Sequence, residues 1–364
     1  MIVYVHDLRS SGVVRNAIDH AALFARTRPT TLVVGYDVGM FREEAKARGF
    51  ALHVLGDRPG RFARATAARR LRRWLRDRPA DILLSEGNLG HPSCYWATRG
   101  LGHIARVYCI SQEVKRADGW KSALRRRWVT MLARDAARLV LVGTANRGVP
   151  MLDRMLASGR AVEAVNAVDV DHARAMARAP APHPWLGDPD VPVIVTVGRL
   201  RPQKNHDLLI AGVAQARATK RMRLVIIGGG AEAERARLTA LAEAAGLSED
   251  FLLAGETTNV FAWLARAHVF ALTSRWEGSS ITLLEALAVG APLVVSARAG
   301  DAVRVLEEGR HGRLFDGYDP AALAQALLDQ VSPRRTLPDA WRPDAGDAVI
   351  YERIIDDLAA ERSA

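Results

Sequence analysis

Residues 274–290 read SRWEGSSITLLEALAVG, with Glu277 and Glu285 eight positions apart. On one continuous helix, eight steps of about 100° leave two side chains roughly 80° apart, so the carboxylates would share a side only loosely. The flanking residues predict another arrangement. His268–Thr273 (HVFALT) is a short apolar run with strand character. Ser274–Ser280 is polar, contains Gly278 and reads as a loop. Ile281–Val289 is rich in Leu and Ala, as a buried helix is. Glu277 then falls in a loop at the C-terminal end of a strand, and Glu285 lies one turn into the helix behind it. In open α/β sheets that crevice is where ligands bind.

The same alternation extends in both directions. Val193–Val197, Arg223–Ile227, Phe251–Leu253, His268–Thr273 and Pro292–Ser296 are strand candidates, each followed by a helical stretch. Upstream, Ile2–Val5, Thr31–Val34, Asp81–Leu84, Arg106–Ile110 and Leu139–Val142 alternate with amphipathic helices such as Val13–Ala25 and Ala63–Leu75. This is βαβ logic, with parallel sheets and right-handed crossovers. Between the two runs, residues 177–192 (ARAPAPHPWLGDPDVP) hold five prolines and read as a linker. The expected fold is α/β, with two Rossmann-like, doubly wound parallel-sheet domains facing across a cleft. Their expected limits are 1–176 and 193–345, with a helix at about 346–364 returning to the first domain.

A chain of 364 residues has room for two such domains, and 49% hydrophobic residues argue against wholesale disorder. Cys94 and Cys109 fit no metal-ligand spacing and, with no secretory signal, point to a reducing compartment. The apolar N-terminal run MIVYVHDL is too short for a signal or a membrane span, and no 18-residue apolar stretch follows. A cytoplasmic protein is expected. Charge is spread unevenly: residues 1–165 hold 29 Lys+Arg against 14 Asp+Glu, and the remainder 22 against 26. The basic half is the one expected to face an acidic partner, membrane or nucleic acid.

Three stretches of the second half converge on one sheet edge. Val193–Val197 runs into GRLRPQKN, which presents Arg199 and Lys204 just past a strand, where two cations suit a phosphate or diphosphate. A solvated loop with chance basic residues stays open on this feature alone. RLVIIGGGAEAERARL is a strand, three glycines (Gly228–Gly230) and a helix. Its glycines allow close backbone approach, and its helix N-terminus favours an anion. SSIT (279–282) offers further backbone N–H groups at a helix start.

With these residues in place, the sequence resembles the retaining glycosyltransferases of family 4, which have the GT-B fold. The resemblance is carried by VGRLRPQKNHDLLI, RLVIIGGGAEAERARLTALAEAAGL, LLAGETTNVFAWLARAHVFALTSRWEGSSITLLEALAVGAPLVVS and EEGRHGRLFDGYDPAALAQAL. The E-x7-E spacing is specific within that context. The resemblance implies transfer of a hexose or related sugar from a UDP- or GDP-type donor, with retention and without a metal. The acceptor would be a glycan or lipid-linked sugar, in cell-surface polysaccharide or glycolipid synthesis. It implies that Arg199 and Lys204 neutralise the diphosphate, that Glu285 binds the ribose hydroxyls, and that Glu277 faces the donor sugar. Arg199, Lys204 and Glu277 are then the catalytic set. Gly228, Gly230, Ser279, Ser280 and Ile281 would line the donor, and Thr258 and Val260, in the segment 256–260, would pass the base. LRSSGVVRNAIDHAALFA resembles more loosely the family's glycine loop, placing Gly12 near the donor phosphate or the acceptor, and VNAVDVDHA its stretch before the second domain.

Three positions depart from that pattern. Gln112 stands in ISQEV where many members have a histidine, Arg304 stands where many have glutamate, and Ser279-Ser280 replaces Phe-Gly or Phe-Pro. Glu86, after DILLS, is an acceptor-site candidate beside Gln112. His91 in GNLGHPS reads as a loop histidine, either lining the acceptor side or plain surface. DVD (169–171) could be a metal-binding Asp-x-Asp, but it lacks the context, and no histidine pair has zinc spacing. In 61–78, Ala67, Leu71, Trp74 and Leu75 form one stripe, with Arg69, Arg72, Arg73 and Arg76 opposite. In 121–134, Leu124, Trp128, Met131 and Leu132 oppose Arg125 and Arg126. Ordinary sheet-covering helices and a peripheral surface on the inner face of an anionic membrane both stay open. No RNP, helix-turn-helix or zinc signature supports nucleic acid. A nucleotide-sugar epimerase on the same fold and a basic non-catalytic nucleic-acid-binding protein remain the alternative functions.

Overall fold

The computed structural model describes residues 1–9, 11–76, 78, 80–111, 114, 120–144, 146–166, 168–331 and 345–363. The chain divides into two compact units, residues 1–167 with 344–364 and residues 168–343.

Unit 1 is built on seven parallel strands: β1 (Ile2–Leu8), β2 (Thr31–Gly39), β3 (Ala51–Val54), β4 (Ile82–Glu86), β5 (Ala105–Ile110), β6 (Arg138–Val142) and β7 (Ala161–Ala164). Their order is β3-β2-β1-β4-β5-β6-β7, so the winding direction reverses between β1 and β4. Its central strands are buried on both faces, which is why IVYVHDL and ILLSE are near-continuous apolar runs with no clean alternation. The helix Ala345–Ser363 closes one face. It inserts Tyr351, Ile354, Ile355 and Leu358 among side chains of β1, β2 and β4. Arg28–Asp356 and Arg138–Glu361 ion pairs fasten it.

Unit 2 has six parallel strands: β8 (Val193–Val197), β9 (Arg223–Ile227), β10 (Phe251–Gly255), β11 (Val269–Leu272), β12 (Leu293–Ser296) and β13 (Arg313–Phe315). The order β10-β9-β8-β11-β12-β13 is the doubly wound arrangement that binds ligands where the strand order reverses, here between β8 and β11. Along β8, Val193, Val195 and Val197 enter one core layer and Ile194 the other. The proline-rich stretch packs on this unit. Leu186 is buried, Arg223 lies over the Trp185 ring at 5.2 Å, and Arg266 donates to the carbonyls of Ala177 and Ala179.

Several expectations need correction. GNLGHPS is not a loop: it begins the helix Gly87–Thr98, which contains Pro92. Its Gly, Asn and Pro are punctuation in sequence terms, but burial of His91, Ser93, Cys94 and Ala97 outweighs local preference. His91 is neither surface nor site. It is fully buried, close to Ser85 Oγ through Nδ1 (2.8 Å) and to the Cys109 carbonyl through Nε2 (3.2 Å), and burial lowers its pKa to about 4. In the helix Ala63–Arg76, Arg72 is not part of a free basic face. Its guanidinium donates to the carbonyls of Ala97 and Arg99 at 3.0 and 2.8 Å, satisfying the C-terminal end of the neighbouring helix. Trp74 stacks on His53 at 5.1 Å, with Arg78 over its ring at 4.9 Å. In the helix Trp120–Asp135 the buried face is Val129, Leu132 and Ala133, and Leu124 is exposed. The apolar wheel was therefore set one position too early. The short edge strands β3, β7 and β13 were not foreseen, because ALHV, AVEA and RLF are too short to show a period.

Candidate active site

The reversal point of unit 2 brings the loop after β8 against the loop after β11. The first contains the single 3-10 turn Pro202–Lys204 and then Asn205, held at φ +54°. Asn tolerates that left-handed conformation better than other non-glycine residues, through its short polar side chain. The Thr273 hydroxyl donates to the carbonyls of Lys204 (3.0 Å) and Asn205 (3.2 Å), and the Arg275 amide donates to the Gln203 carbonyl at 2.9 Å. Two loops 70 residues apart in sequence are thus stitched backbone to side chain.

On this scaffold sits a polar network. Lys204 Nζ donates to Glu277 Oε1 at 2.6 Å, and Ser274 Oγ donates to the same oxygen at 2.7 Å. Gln203 Nε2 donates to Glu277 Oε2 at 3.2 Å and to the Trp276 carbonyl at 2.9 Å. The side chains of Lys204 and Glu277 retain 17% and 11% of their exposure, so the pair is mostly shielded but reachable. His206, directly behind it, is buried, and burial takes its pKa down to about 4. The neutral ring donates through Nε2 to the Arg199 carbonyl at 3.4 Å and so ties down the turn that carries both cations. Gln203, Ser274 and His206 had not been singled out from the sequence. Each is one polar residue among others in a loop or at a helix start, and only the fold turns them inward.

Arg199 itself is exposed and makes no side-chain hydrogen bond to the described residues. The glycines beside it have a local structural task. Gly228 has φ +150°, and a Cβ there would collide with the Gly198 carbonyl; one at Gly230 would lie 2.5 Å from Leu200 Cβ. Leu200 N donates to the Gly229 carbonyl and Gly228 N to that of Gly255, at 2.8 and 2.7 Å. The ends of β8, β9 and β10 are joined through these glycines.

Two helix starts adjoin the network, and they differ. The helix Glu232–Ala244 carries Glu232 and Glu234 in its first turn, so its own carboxylates already answer its dipole. The helix Ile281–Ala288 starts at Ser280 with no side-chain cap and no acidic residue in its first turn, the arrangement that favours an external anion. The Ser280 hydroxyl lies 3.1 Å from that of Thr282. Glu285, in the second turn, is 2% exposed. Thr258 is exposed on the loop after β10, but Val260 turns its side chain into the core, and Asn259 Oδ1 accepts from Ala262 N at 3.2 Å.

The remaining candidates lie in unit 1, at the start of unit 2 or outside the described residues. Gly12 opens the helix Gly12–Ala25, whose cap is the Ser11 hydroxyl, accepting from Val14 N at 3.3 Å. Glu86 ends β4 and is buried, with Oε1 2.7 Å from Nδ1 of the equally buried His20. Gln112 lies outside the described residues. Asp169 of DVD caps the helix Val170–Ala177 by accepting from His172 N at 3.0 Å, which gives it a structural task. Among the described residues, no group of three or more His, Cys, Asp or Glu stands together as a metal site, and no helix is long and apolar enough to cross a membrane.

This is the GT-B fold: two Rossmann-like parallel sheets, with a charged network at the reversal point of the second. The crystal structure of Anabaena Alr3699/HepE in complex with UDP-glucose superimposes over 99% of both chains, with a TM-score of 0.79 at 17% identity. Residues 191–332 match the family described as Glycosyl transferases group 1. Among curated relatives, a D-inositol 3-phosphate glycosyltransferase 2 from Catenulispora acidiphila is 28% identical over 63% of this chain. A GDP-mannose-dependent alpha-(1-6)-phosphatidylinositol monomannoside mannosyltransferase from Mycolicibacterium smegmatis is 35% identical over 40% of it. The matched segments span 59% and 40% of those relatives' own lengths.

Proposed function

We propose that this protein moves a sugar from a nucleotide-diphosphate donor to a glycan or lipid-linked acceptor, with retention of anomeric configuration. The observation that carries the proposal is the Lys204–Glu277 pair across the reversal point, between exposed Arg199 and the uncapped helix start at Ser280. In this reading Arg199, Lys204 and the amides of Ser279–Ile281 receive the diphosphate, and Glu285 receives the ribose. Glu277 faces the sugar, and the backbone of Thr258–Val260 passes the base. Lys204 then has two partners in sequence. In the structure it neutralises Glu277; as the sugar–phosphate bond lengthens, its ammonium stabilises the growing charge on the leaving diphosphate. No Asp or Glu of the network is free to act as a covalent nucleophile, since Glu277 is held by three donors. Front-face attack fits better, with a donor phosphate oxygen helping to take the acceptor proton and the protein supplying orientation. With two cations at the diphosphate, no metal is required.

The relatives' names add an acceptor class: one acts on an inositol phosphate and one on a phosphatidylinositol glycolipid. A lipid-linked acceptor agrees with the surface of unit 1. There Phe62, Leu89, Trp96 and Leu124 are exposed, as are Arg61, Arg69, Arg73 and Arg76, a composition suited to the inner face of an anionic membrane. The deciding measurement is thermal unfolding in the presence of UDP-, GDP- and ADP-sugars, then transfer assays with the donor that stabilises, with and without EDTA. A specific donor raises the midpoint by mass action. If none does, the donor-site reading is lost; if EDTA abolishes transfer and manganese restores it, the metal-free mechanism is lost. Donor turnover with no acceptor present would favour the epimerase instead.

A further inference from the structure

The edge strand β3 of unit 1 borders a cavity of about 570 Å³, and none of the residues read as the donor site lines it. One wall is β3 with the turn that follows it. The other is the helix Ala63–Arg76 with Arg78 just past its end. The turn is fixed to β2: Leu55 N donates to the Val34 carbonyl and Asp37 N to that of Gly56, both at 2.8 Å. The helix brings Arg70, Arg73 and Trp74 to the cavity, since residues three and four apart share a side. Trp74 stacks on His53 and carries Arg78 over its ring, which sets the place of a third guanidinium. Arg70 is set by the turn. Its guanidinium fills the space of a side chain at Gly56, and a Cβ there would collide with it. Three arginines thus line one concavity with one carboxylate, Asp57. Among the described residues, none of the three guanidiniums makes an ion pair or a hydrogen bond. Burial, and then the charge of Arg78, lower the pKa of His53, so its ring adds no charge at neutral pH.

We propose that this cavity binds a phosphate monoester through the guanidiniums of Arg70, Arg73 and Arg78. Like charges gathered in one concavity repel one another until an anion sits among them. Three guanidiniums and one carboxylate leave a net of two positive charges. A phosphate monoester carries about two negative charges at neutral pH and three acceptor oxygens, one for each arginine. The planar N–H forks match those oxygens in pairs. A carboxylate, with one charge and two oxygens, would leave a guanidinium unanswered. The cavity is larger than a phosphate alone and of the size that holds a small molecule. The ligand is therefore a phosphorylated small molecule or the monoester headgroup of a lipid, and the chemistry recognised is the same in both. The site stands on unit 1 and does not depend on how the glutamate loop is read.

The test has two arms, both on the full chain. In the first, glycerol 3-phosphate is titrated by calorimetry, and amide hydrogen exchange of residues 51–57 is followed with and without it. Lys204→Ala protein is the common background, so that the donor site adds no phosphate binding. Binding is expected, with a gain of protection in that segment. Arg70→Gln and Arg78→Gln should each weaken it about tenfold, the scale of a hydrogen bond to a charged group. Gly56→Ala keeps every charge and only displaces the Arg70 guanidinium, so it should weaken binding about as much as Arg70→Gln. Arg69→Gln with Arg76→Gln removes two charges of the same helix that do not line the cavity, and should change affinity less than twofold. In the second arm, phosphatidylcholine vesicles containing phosphatidic acid are compared by sedimentation with vesicles of equal surface charge containing phosphatidylglycerol, a phosphate diester. Binding of glycerol 3-phosphate with this pattern makes the ligand a soluble monoester. A preference for phosphatidic acid that Gly56→Ala abolishes, without binding of glycerol 3-phosphate, makes it a lipid headgroup. The proposal is overturned if neither is seen, or if affinity follows the number of charges alone, with Gly56→Ala like its background and the Arg69 and Arg76 pair as weak as Arg70→Gln.

Discussion

Each unit places a glutamate where its strand order reverses, and the two are held in opposite ways. In unit 1 Glu86 ends β4 and meets His20, which is fully buried and tilted against Tyr351 with ring centroids 4.0 Å apart. In unit 2 Glu277 follows β11 and meets Lys204, an ammonium on a flexible stem that water still reaches. The topology is the same and the residue type is the same. The difference lies in the partner. A sealed imidazole–carboxylate pair can only break at the cost of an uncompensated buried group. An ammonium held by a carboxylate at the protein's edge can turn to a phosphate oxygen with little loss. Reversal points are where ligands can bind; the partner's chemistry and exposure make the second of these two the candidate site.

The largest effects should separate the two glutamates. Arg199→Ala and Lys204→Ala are each expected to lower kcat on the order of 100-fold, as for other stabilisers of developing charge. Glu86→Gln should leave kcat and the acceptor KM near wild type while costing about 1–3 kcal/mol in urea unfolding. A raised acceptor KM in that variant would return Glu86 to the acceptor site and end the contrast.

The basic surface of unit 1 can be tested against the same contrast. Arg69, Arg73 and Arg76 are exposed, whereas Arg72 is engaged by carbonyls. Changing those three to Gln should cost about 1 kcal/mol each in binding to anionic liposomes at low salt, roughly 100-fold together. Nucleotide affinity should be unaffected. Protein that stays in the supernatant with anionic liposomes at low salt would mark these arginines as an ordinary solvated face.

Smaller effects should divide Glu285 from Glu277. Loss of a ribose partner in Glu285→Ala is expected to weaken free nucleoside diphosphate binding about tenfold, the scale of a hydrogen bond to a charged group. Glu277→Ala should change that affinity by less than threefold yet slow transfer. Equal weakening in isothermal titration would undo the assignment.

The smallest effects are on stability against pH. His91 and His206 have pKa values lowered by burial to about 4, so their contribution is complete above the unfolded value near 6.5 and is lost as pH falls toward 4. One histidine sits in each unit, so both should soften in that window. Asp301, 4% exposed in the turn after β12, has the opposite sign: with its pKa raised by burial to about 6, its contribution is present below about 3.8 and lost as pH rises through 6. Asp301→Asn should therefore raise the unfolding midpoint, relative to wild type, more at pH 7.5 than at pH 4.5. The same difference at both pH values would mean that the carboxyl titrates as if exposed.

Much of this molecule was decided locally. The βαβ alternation, the loop between β11 and the helix Ile281–Ala288, and the places of Arg199, Lys204, Glu277 and Glu285 follow from apolar runs, glycine and polar breaks. These are short-range properties that any stretch of chain carries with it. What lay beyond the sequence was everything set by contact between distant segments. Lys204 and Glu277 are 73 positions apart, and nothing local says that one holds the other. Arg72 looked like its neighbours until the end of another helix supplied carbonyls for it. His91 looked like a loop residue until burial made a helix around Pro92. Gly56 carried no motif at all; its meaning comes from the Arg70 guanidinium packed against it. Patterning decides which residues face inward, because apolar burial is roughly proportional to area and needs no specific partner. Hydrogen bonds and charge pairs are directional and depend on ångström distances, so only the packed tertiary structure could select them.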